Sequence, residues 1–298
     1  MSDCIFIKIG KYQMGGPEGT FPTAMFGTIF FAGQELLHDS ETGEFDQEAA
    51  LKQINSNQAV CSEFAIPLYL DVVAETPQAV SRQVGFVAKE TGLPFLIDAS
   101  DEDVRMAGLQ KAVELSALER TVYNSIYNDS IDKELELLAR HPPAAIVIGA
   151  MDAMNYGLES ALSVVDEIKG RLSASLHDRL LLDVGFLDEA SAGVSCAVAK
   201  QLRAKTGLPV GGAPSNGLHM WETLKSMGET HFVTALAGTI GYCTAFGLDF
   251  LFIGPLRYAK LAVAAQGAAD IYNRYKLMLE DRGRSLPQEH PIKAMFQR

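Results

Sequence analysis

A carboxylate or a carboxamide stands at the end of each of six short apolar runs. Glu75 follows Val73-Ala74, Asp98 follows Phe95-Leu96-Ile97, and Asn124 follows Val122-Tyr123. Asp152 follows Gly149-Ala150-Met151, Asp183 follows Leu180-Leu181-Leu182, and Asn216 closes Gly211-Gly212-Ala213-Pro214-Ser215. A carboxylate accepts hydrogen bonds, and a carboxamide both accepts and donates them. With no lysine or arginine among them, such groups suit a flat, neutral heterocycle rich in N–H donors. A phosphate would ask for the opposite charge. Gly211 and Gly212 allow backbone to approach such a ring closely. Each polar residue alone could simply cap the helix after it. Asp98 and Asp183 stand apart, because each follows a buried triplet and precedes a more plausible cap, Ser100 and Asp188. That aims them at a shared mouth.

Other chemistries lack their residues. There is no phosphate loop, no G-x-G-x-x-G behind a strand, no G-x-S-x-G elbow and no H-E-x-x-H. The six histidines are scattered, which speaks against a histidine metal site. His219 lies just after the seventh run and could face the mouth, but a capping or solvent role is the better expectation. The four cysteines form no C-x-x-C pair, so neither a zinc site nor a disulfide framework is expected, and a reducing cytoplasm is. Cys196 and Cys243 fall in helical patterns and read as core residues.

The elements that must carry these residues alternate along the chain. Apolar runs cover Pro22–Phe31, Pro67–Glu75, Pro94–Ala99, Arg120–Ile126, Ala144–Asp152, Arg179–Gly185, Pro209–Asn216 and Leu248–Pro255. Several are continuously apolar, as parallel strands covered on both faces are. Between them lie helix signals. Thr76-Pro77 is a cap before an N1 proline, and Val80, Val84, Val87 and Ala88 then share a face. Val194, Val198 and Leu202 suggest the buried face of a sixth helix; Leu261, Ala264, Ala268 and Tyr272 suggest that of the last. Gly92-Leu93-Pro94 and Gly207-Leu208-Pro209 each read as a C-cap glycine and a strand-opening proline. Eight βα units predict an α/β fold of the (β/α)8 TIM-barrel type, ordinarily about 250 residues. The 298 residues are expected to form one domain, with residues 1–20 a strand or hairpin capping the barrel floor. An open doubly wound sheet is the runner-up.

Composition bounds the partners. At 48% hydrophobic and 21% charged residues the chain has ample core material. A net charge of −12 disfavours a general nucleic-acid or anionic-membrane binder. His231–Leu248 carries no charged residue and is long enough to raise a membrane span. Gly238, Gly241 and Gly247, with Asp249 directly behind, favour a buried helix followed by a strand.

The segments FLIDAS, VYNSI, IGAMD, LLLDVG and GGAPSNG, with GTIFF and AETPQAV, resemble the pterin-dependent corrinoid methyltransferases in order and spacing over nearly the whole chain. The resemblance is strongest to the branch holding the H subunit of tetrahydromethanopterin S-methyltransferase and the methylcobalamin:tetrahydrofolate methyltransferase of glycine betaine demethylation. It implies a pterin-binding TIM barrel that moves a methyl group between pterin N5 and the cobalt of a cobalamin on a separate corrinoid protein. It further implies that Asp98, Asn124 and Asp183 bind the pterin ring and that Asn216 lies near N5. Glu75, Asp152, Gly212 and Ser215 complete the expected shell, with Asn216 and Asp98 the catalytic candidates. Transfer from methylcobalamin to tetrahydrofolate is the leading expectation. H-subunit-type transfer with tetrahydromethanopterin, or a dihydropteroate-synthase-like condensation, is the alternative. The condensation wants cations near the seventh and eighth runs, where only Lys225 and Arg257 occur. A pterin or corrinoid carrier is a non-enzymatic reading, though no D-x-H-x-x-G corrinoid motif is present. A homodimer is expected by resemblance.

Overall fold

The computed structural model describes residues 4–152, 154–280 and 290–296. Eight parallel strands close a barrel: β1 (Ala24–Ile29), β2 (Leu68–Val73), β3 (Phe95–Asp98), β4 (Thr121–Ile126), β5 (Ala145–Gly149), β6 (Leu180–Asp183), β7 (Val210–Gly212) and β8 (Phe250–Pro255). Each lies inside one of the apolar runs. Closure is made by β8 pairing with β1, where Phe250 stands beside Ala24. The fold is a (β/α)8 TIM barrel, and the doubly wound alternative is excluded because the sheet has no open edge.

The helices are α1 (Gln47–Glu63), α2 (Pro77–Glu90), α3 (Glu102–Glu114), α4 (Asp132–Arg140), α5 (Leu158–Arg171) and α6 (Ala192–Thr206). Three follow β7: α7 (Pro214–His219), α8 (Glu222–Ser226) and α9 (Glu229–Ala245). Then come α10 (Ala259–Glu280), after β8, and α11 (Pro291–Phe296). The Thr76 hydroxyl accepts from Ala79 N–H at 3.0 Å and Pro77 opens α2, as the sequence signal implied. The uncharged stretch from His231 is most of α9 followed by the entry to β8. Among the described residues no helix is long and apolar enough to cross a membrane.

Four local expectations are corrected. Gly207 does end α6 in the left-handed conformation (φ 73°), but α2 ends at an extended Thr91, so Gly92 is not a matching cap. The cap of α3 is Asp101, whose carboxylate accepts from Asp103 N–H at 2.8 Å, not Ser100. On α6, Val198 and Leu202 are buried while Val194 is exposed. On α10 the whole inferred stripe is displaced. Leu261 and Tyr272 are exposed, and the buried face holds Ala262, Val263, Gln266, Asp270, Asn273 and Arg274. Gln266, Asp270 and Arg274 reach inward to Thr23 and Gly19, ahead of β1, and such polar residues defeat a periodicity that counts only apolar ones.

Side chains alternate across each strand, so every second residue enters the barrel. Met25, Leu68, Leu70, Ile97, Ile146, Leu180 and Leu182 join the cluster under the helices. Phe26, Tyr69, Leu96, Val122, Val147, Leu181 and Phe250 meet inside. A hairpin of Phe6–Ile9 and Tyr12–Gly15 inserts Ile7, Ile9 and Met14 into this interior cluster from the strands' N-terminal end. Arg203 fastens that end, donating to the Gly16 carbonyl at 2.8 Å and to Asp249 at 2.5 Å.

Candidate active site

The alternation that fills the barrel also builds its mouth. Two residues beyond Phe26, Tyr69, Leu96, Val122 and Leu181, on the same face, stand Thr28, Asp71, Asp98, Asn124 and Asp183. The apolar interior layer is thus followed by a polar one at the C-terminal strand ends, where barrels of this type place their sites. Asp98 and Asn124 are register partners on β3 and β4. The structure brings together three of the residues singled out in the sequence and adds two.

Asp71 is the chief addition. It is buried at 2% exposure, and Thr28 donates to its Oδ2 at 2.8 Å. Oδ1 is buried with no other donor facing it. Burial pushes the Asp71 carboxyl well above the usual range, and the neighbouring Asp98 charge adds to this. Burial raises Asp98 to about 6, against the pull of hydrogen bonds from Asp71 and Asn124 and of the Arg105 charge. In this pair Asp71 keeps the proton and donates it to Asp98, because the less solvated partner ionises last.

Asp183 stands across the mouth. Burial raises it to about 6, opposed by the Gly185 N–H, which donates to Oδ1 at 2.8 Å, and assisted by the Asp98 charge. Gly185 makes this turn at φ 70°, a left-handed conformation suited to glycine. Gly212 leaves room beside Asp183, since a methyl group there would lie 3.0 Å from Asp183 Oδ1 and 2.6 Å from the Phe186 ring. On β5 the corresponding interior residue is Gly149, and Tyr127 fills the gap. A Gly149 methyl would fall 2.4 Å from the Tyr127 ring. The Tyr127 hydroxyl donates to Ser125 Oγ at 3.4 Å, which donates to Asn124 Oδ1 at 2.7 Å. Burial raises the Tyr127 phenol, and the Asp183 and Asp98 charges raise it further.

The other polar sequence candidates make no hydrogen bond to this layer. Asn216 is exposed on α7 and its side chain hydrogen-bonds none of the described residues. Ser215 is buried, its hydroxyl donating to the Phe252 carbonyl at 3.2 Å, which holds α7 against β8. Asp152 is exposed and closes a local turn by accepting from Met154 N–H at 2.8 Å. Glu75 is exposed between β2 and α2, away from the buried layer. His219 is occupied locally, with Nδ1 2.7 Å from the Ser215 carbonyl and its ring on Phe232. Cys196 and Cys243 are buried core thiols 3.6 Å apart. A cation does lie behind the ring, which the strand ends alone did not reveal. It is Arg105 of α3, 4% exposed and turned toward Glu134 and the backbone. Arg257, after β8, is exposed and paired with Glu229 at 3.1 Å.

Such a layer can hold a flat ring by its N–H groups and exchange protons near neutrality; it offers no side chain suited to a diphosphate. Solved structures of dihydropteroate synthases share the fold. That of Yersinia pestis has a TM-score of 0.64 at 15% identity, covering 91% of this chain and 99% of the other. That of Vibrio fischeri has 0.66 at 13%, covering 93% and 99%. Sequence relatives are nearer. The H subunit of tetrahydromethanopterin S-methyltransferase from Methanopyrus kandleri is 31% identical over 72% of this chain and 69% of its own length. Its counterpart from Methanothermobacter marburgensis is 26% identical over 97% and 96%. A family model described as the tetrahydromethanopterin S-methyltransferase MtrH subunit matches residues 3–281, and this chain belongs to that family.

Proposed function

We propose that this chain transfers a methyl group between N5 of a reduced pterin and the cobalt of a corrinoid carried by a partner protein. One observation carries the reading beyond family membership. The polar layer of Asp71, Asp98, Asn124 and Asp183 is acceptor-rich, with Asp71 and Asn124 buried, and desolvation raises Asp71 well above the usual carboxyl range and Asp98 and Asp183 to about 6. A pterin's amino-pyrimidine edge is rich in N–H donors and fits Asp183 and Asp98 with Asn124 between them. The corrinoid supplies the methyl-accepting or methyl-donating cobalt, and the transfer itself is a direct displacement. The chain's part is alignment of two large reactants, which can lower a barrier by several kcal/mol. It also manages one proton, because N5 loses a proton when methylated and gains one when the methyl leaves. Asn216, free and exposed at the rim, can donate to or accept from N5 in either state.

Between the two pterins, tetrahydromethanopterin is the better supported, because the family model and the relatives named above carry it in their descriptions. Tetrahydrofolate, a glycine betaine setting and the direction toward the pterin rest on resemblance alone. A dihydropteroate-synthase-like condensation is disfavoured, because only the fold supports it and Arg257 is committed to Glu229. A homodimer and a cytoplasmic setting complete the proposal; the four cysteines are free thiols, as a reducing compartment keeps them. The test is absorbance-followed methyl exchange with cobalamin, each pterin in turn. Exchange with tetrahydromethanopterin and not tetrahydrofolate is expected. Exchange with neither, at saturating concentrations, would sink the reading.

A further inference from the structure

We infer that Arg105, Glu134 and Tyr123 form a buried network that positions Asp98 and sets its charge in the pterin site proposed above. The inference rests on that reading for the ligand but not for the effect on Asp98.

Arg105 Nε donates to Glu134 Oε1 at 2.8 Å, and the Tyr123 hydroxyl donates to the same oxygen at 2.6 Å. Arg105 Nη1 donates to the carbonyls of Ala99 at 2.7 Å and Ser100 at 3.0 Å. Ala99 and Ser100 are the two residues directly after Asp98, and Tyr123 directly precedes Asn124. The network therefore grips the chain beside both residues and ties them to α3 and α4.

Stability does not explain it. Arg105 is 4% exposed and Glu134 fully buried, and removing two charges from water can cost more than their attraction returns. Glu134 Oε2 is also buried without a partner, a further penalty. An apolar pair would fill the same space without those penalties. Only a guanidinium offers a rigid fork that can reach a carboxylate and two successive carbonyls together.

The groups around Asp98 are Asp71 from β2, itself held by Thr28 from β1, Asn124 from β4, Asp183 from β6, Tyr127 after β4 and Arg105 from α3. Of these, Arg105 carries the positive charge that favours the ionised carboxylate. Glu134 partly cancels that charge.

The two charges make opposite predictions. Arg105→Gln removes the cation and should move the Asp98 titration midpoint upward by at least about half a pH unit. Glu134→Gln leaves the cation uncompensated and should move it downward. Tyr123→Phe changes no charge, so the midpoint should stay while pterin affinity falls by roughly 3- to 10-fold through looser orientation. If Arg105→Gln does not fold, Arg105→Lys serves: it keeps the charge and loses the fork, so affinity should fall with the midpoint unmoved.

The midpoint is read by 13C NMR of aspartate-labelled protein without pterin, with Asp98→Asn identifying the resonance. Affinity is read by calorimetry with tetrahydromethanopterin. Arg105→Gln and Glu134→Gln proteins that lower Tm yet leave the midpoint where it was, or that both move it in the same direction, would overturn the inference. Wild-type protein that binds no pterin while the midpoint still moves in opposite directions would instead overturn the pterin reading alone.

Discussion

Asp98 and Asp183 are held where their charged forms are poorly solvated, each raised to about 6 from an ordinary 3.8. In the free protein these two groups contribute stability that is complete below about pH 4 and lost as pH rises through about 6. A ring offering N–H donors favours the ionised forms. Pterin affinity should therefore rise between pH 5 and 7, with protons released on binding at pH 6. Calorimetry in buffers of different ionisation enthalpy measures both, and pH-independent affinity would contradict the assignment. Asp183→Asn removes the buried charge but also the acceptor pair. It should raise Tm at pH 8 by about 2–4 °C while weakening pterin binding by roughly 30-fold or more. Asn216→Ala should behave differently, slowing methyl transfer at least about 10-fold with pterin affinity changed by less than about 3-fold. Normal single-turnover rates at saturating pterin and methylcobalamin would remove Asn216 from the reaction. Asp98, Asn124 and Asp183 were legible in the sequence because each terminates an apolar run. Asp71 was not, since it interrupts LYLDVV rather than ending it. Its signal was parity: a charge two residues beyond Tyr69 shares that residue's inward face.

The elements show why strand positions could be read more reliably than helix faces. A strand buried on both sides is apolar whichever way its residues point, so eight runs sufficed to count eight strands. The inward face of α10 is instead lined by Gln266, Asp270, Asn273 and Arg274, several of them bound to the β1 entrance. Asp270 accepts from Thr23 N–H and Oγ1, and Gln266 donates to the Thr23 carbonyl at 2.6 Å. No apolar pattern marks such a face. Tyr127 and Gly149 make a second case, because an absent side chain on β5 matters only once the ring that fills its place is seen. Gly149→Ala should push Tyr127 out of that place. We expect a loss of about 1–3 kcal/mol in denaturant unfolding, with altered Tyr127 fluorescence quenching on pterin addition. Unchanged stability would mean that the ring has other room to occupy.

At the scale of the whole molecule, packing and chemistry sit at opposite ends of one barrel. The hairpin closes the floor with Ile7, Ile9 and Met14, and Arg203 joins Gly16, Gly247 and Asp249 there. The polar layer lies at the other end, with a stacked apolar layer of Phe26, Tyr69 and Phe250 between. Among the described residues that middle layer has no polar side chain except the Tyr69 hydroxyl, which has no hydrogen-bond partner there. A loss at the floor thus has no hydrogen-bonded route to the mouth and should act only through the population of folded protein. Ile9→Ala, at a fully buried position, should cost about 2–4 kcal/mol of stability by leaving a cavity. At 15 °C, where the variant remains folded, its pterin affinity and the pH midpoint of that affinity should match the parent. Urea unfolding and calorimetry measure the two quantities separately. A shift in the midpoint of Ile9→Ala would show that the floor hairpin also tunes the carboxyl layer, and the two ends of the barrel would have to be treated as one coupled unit.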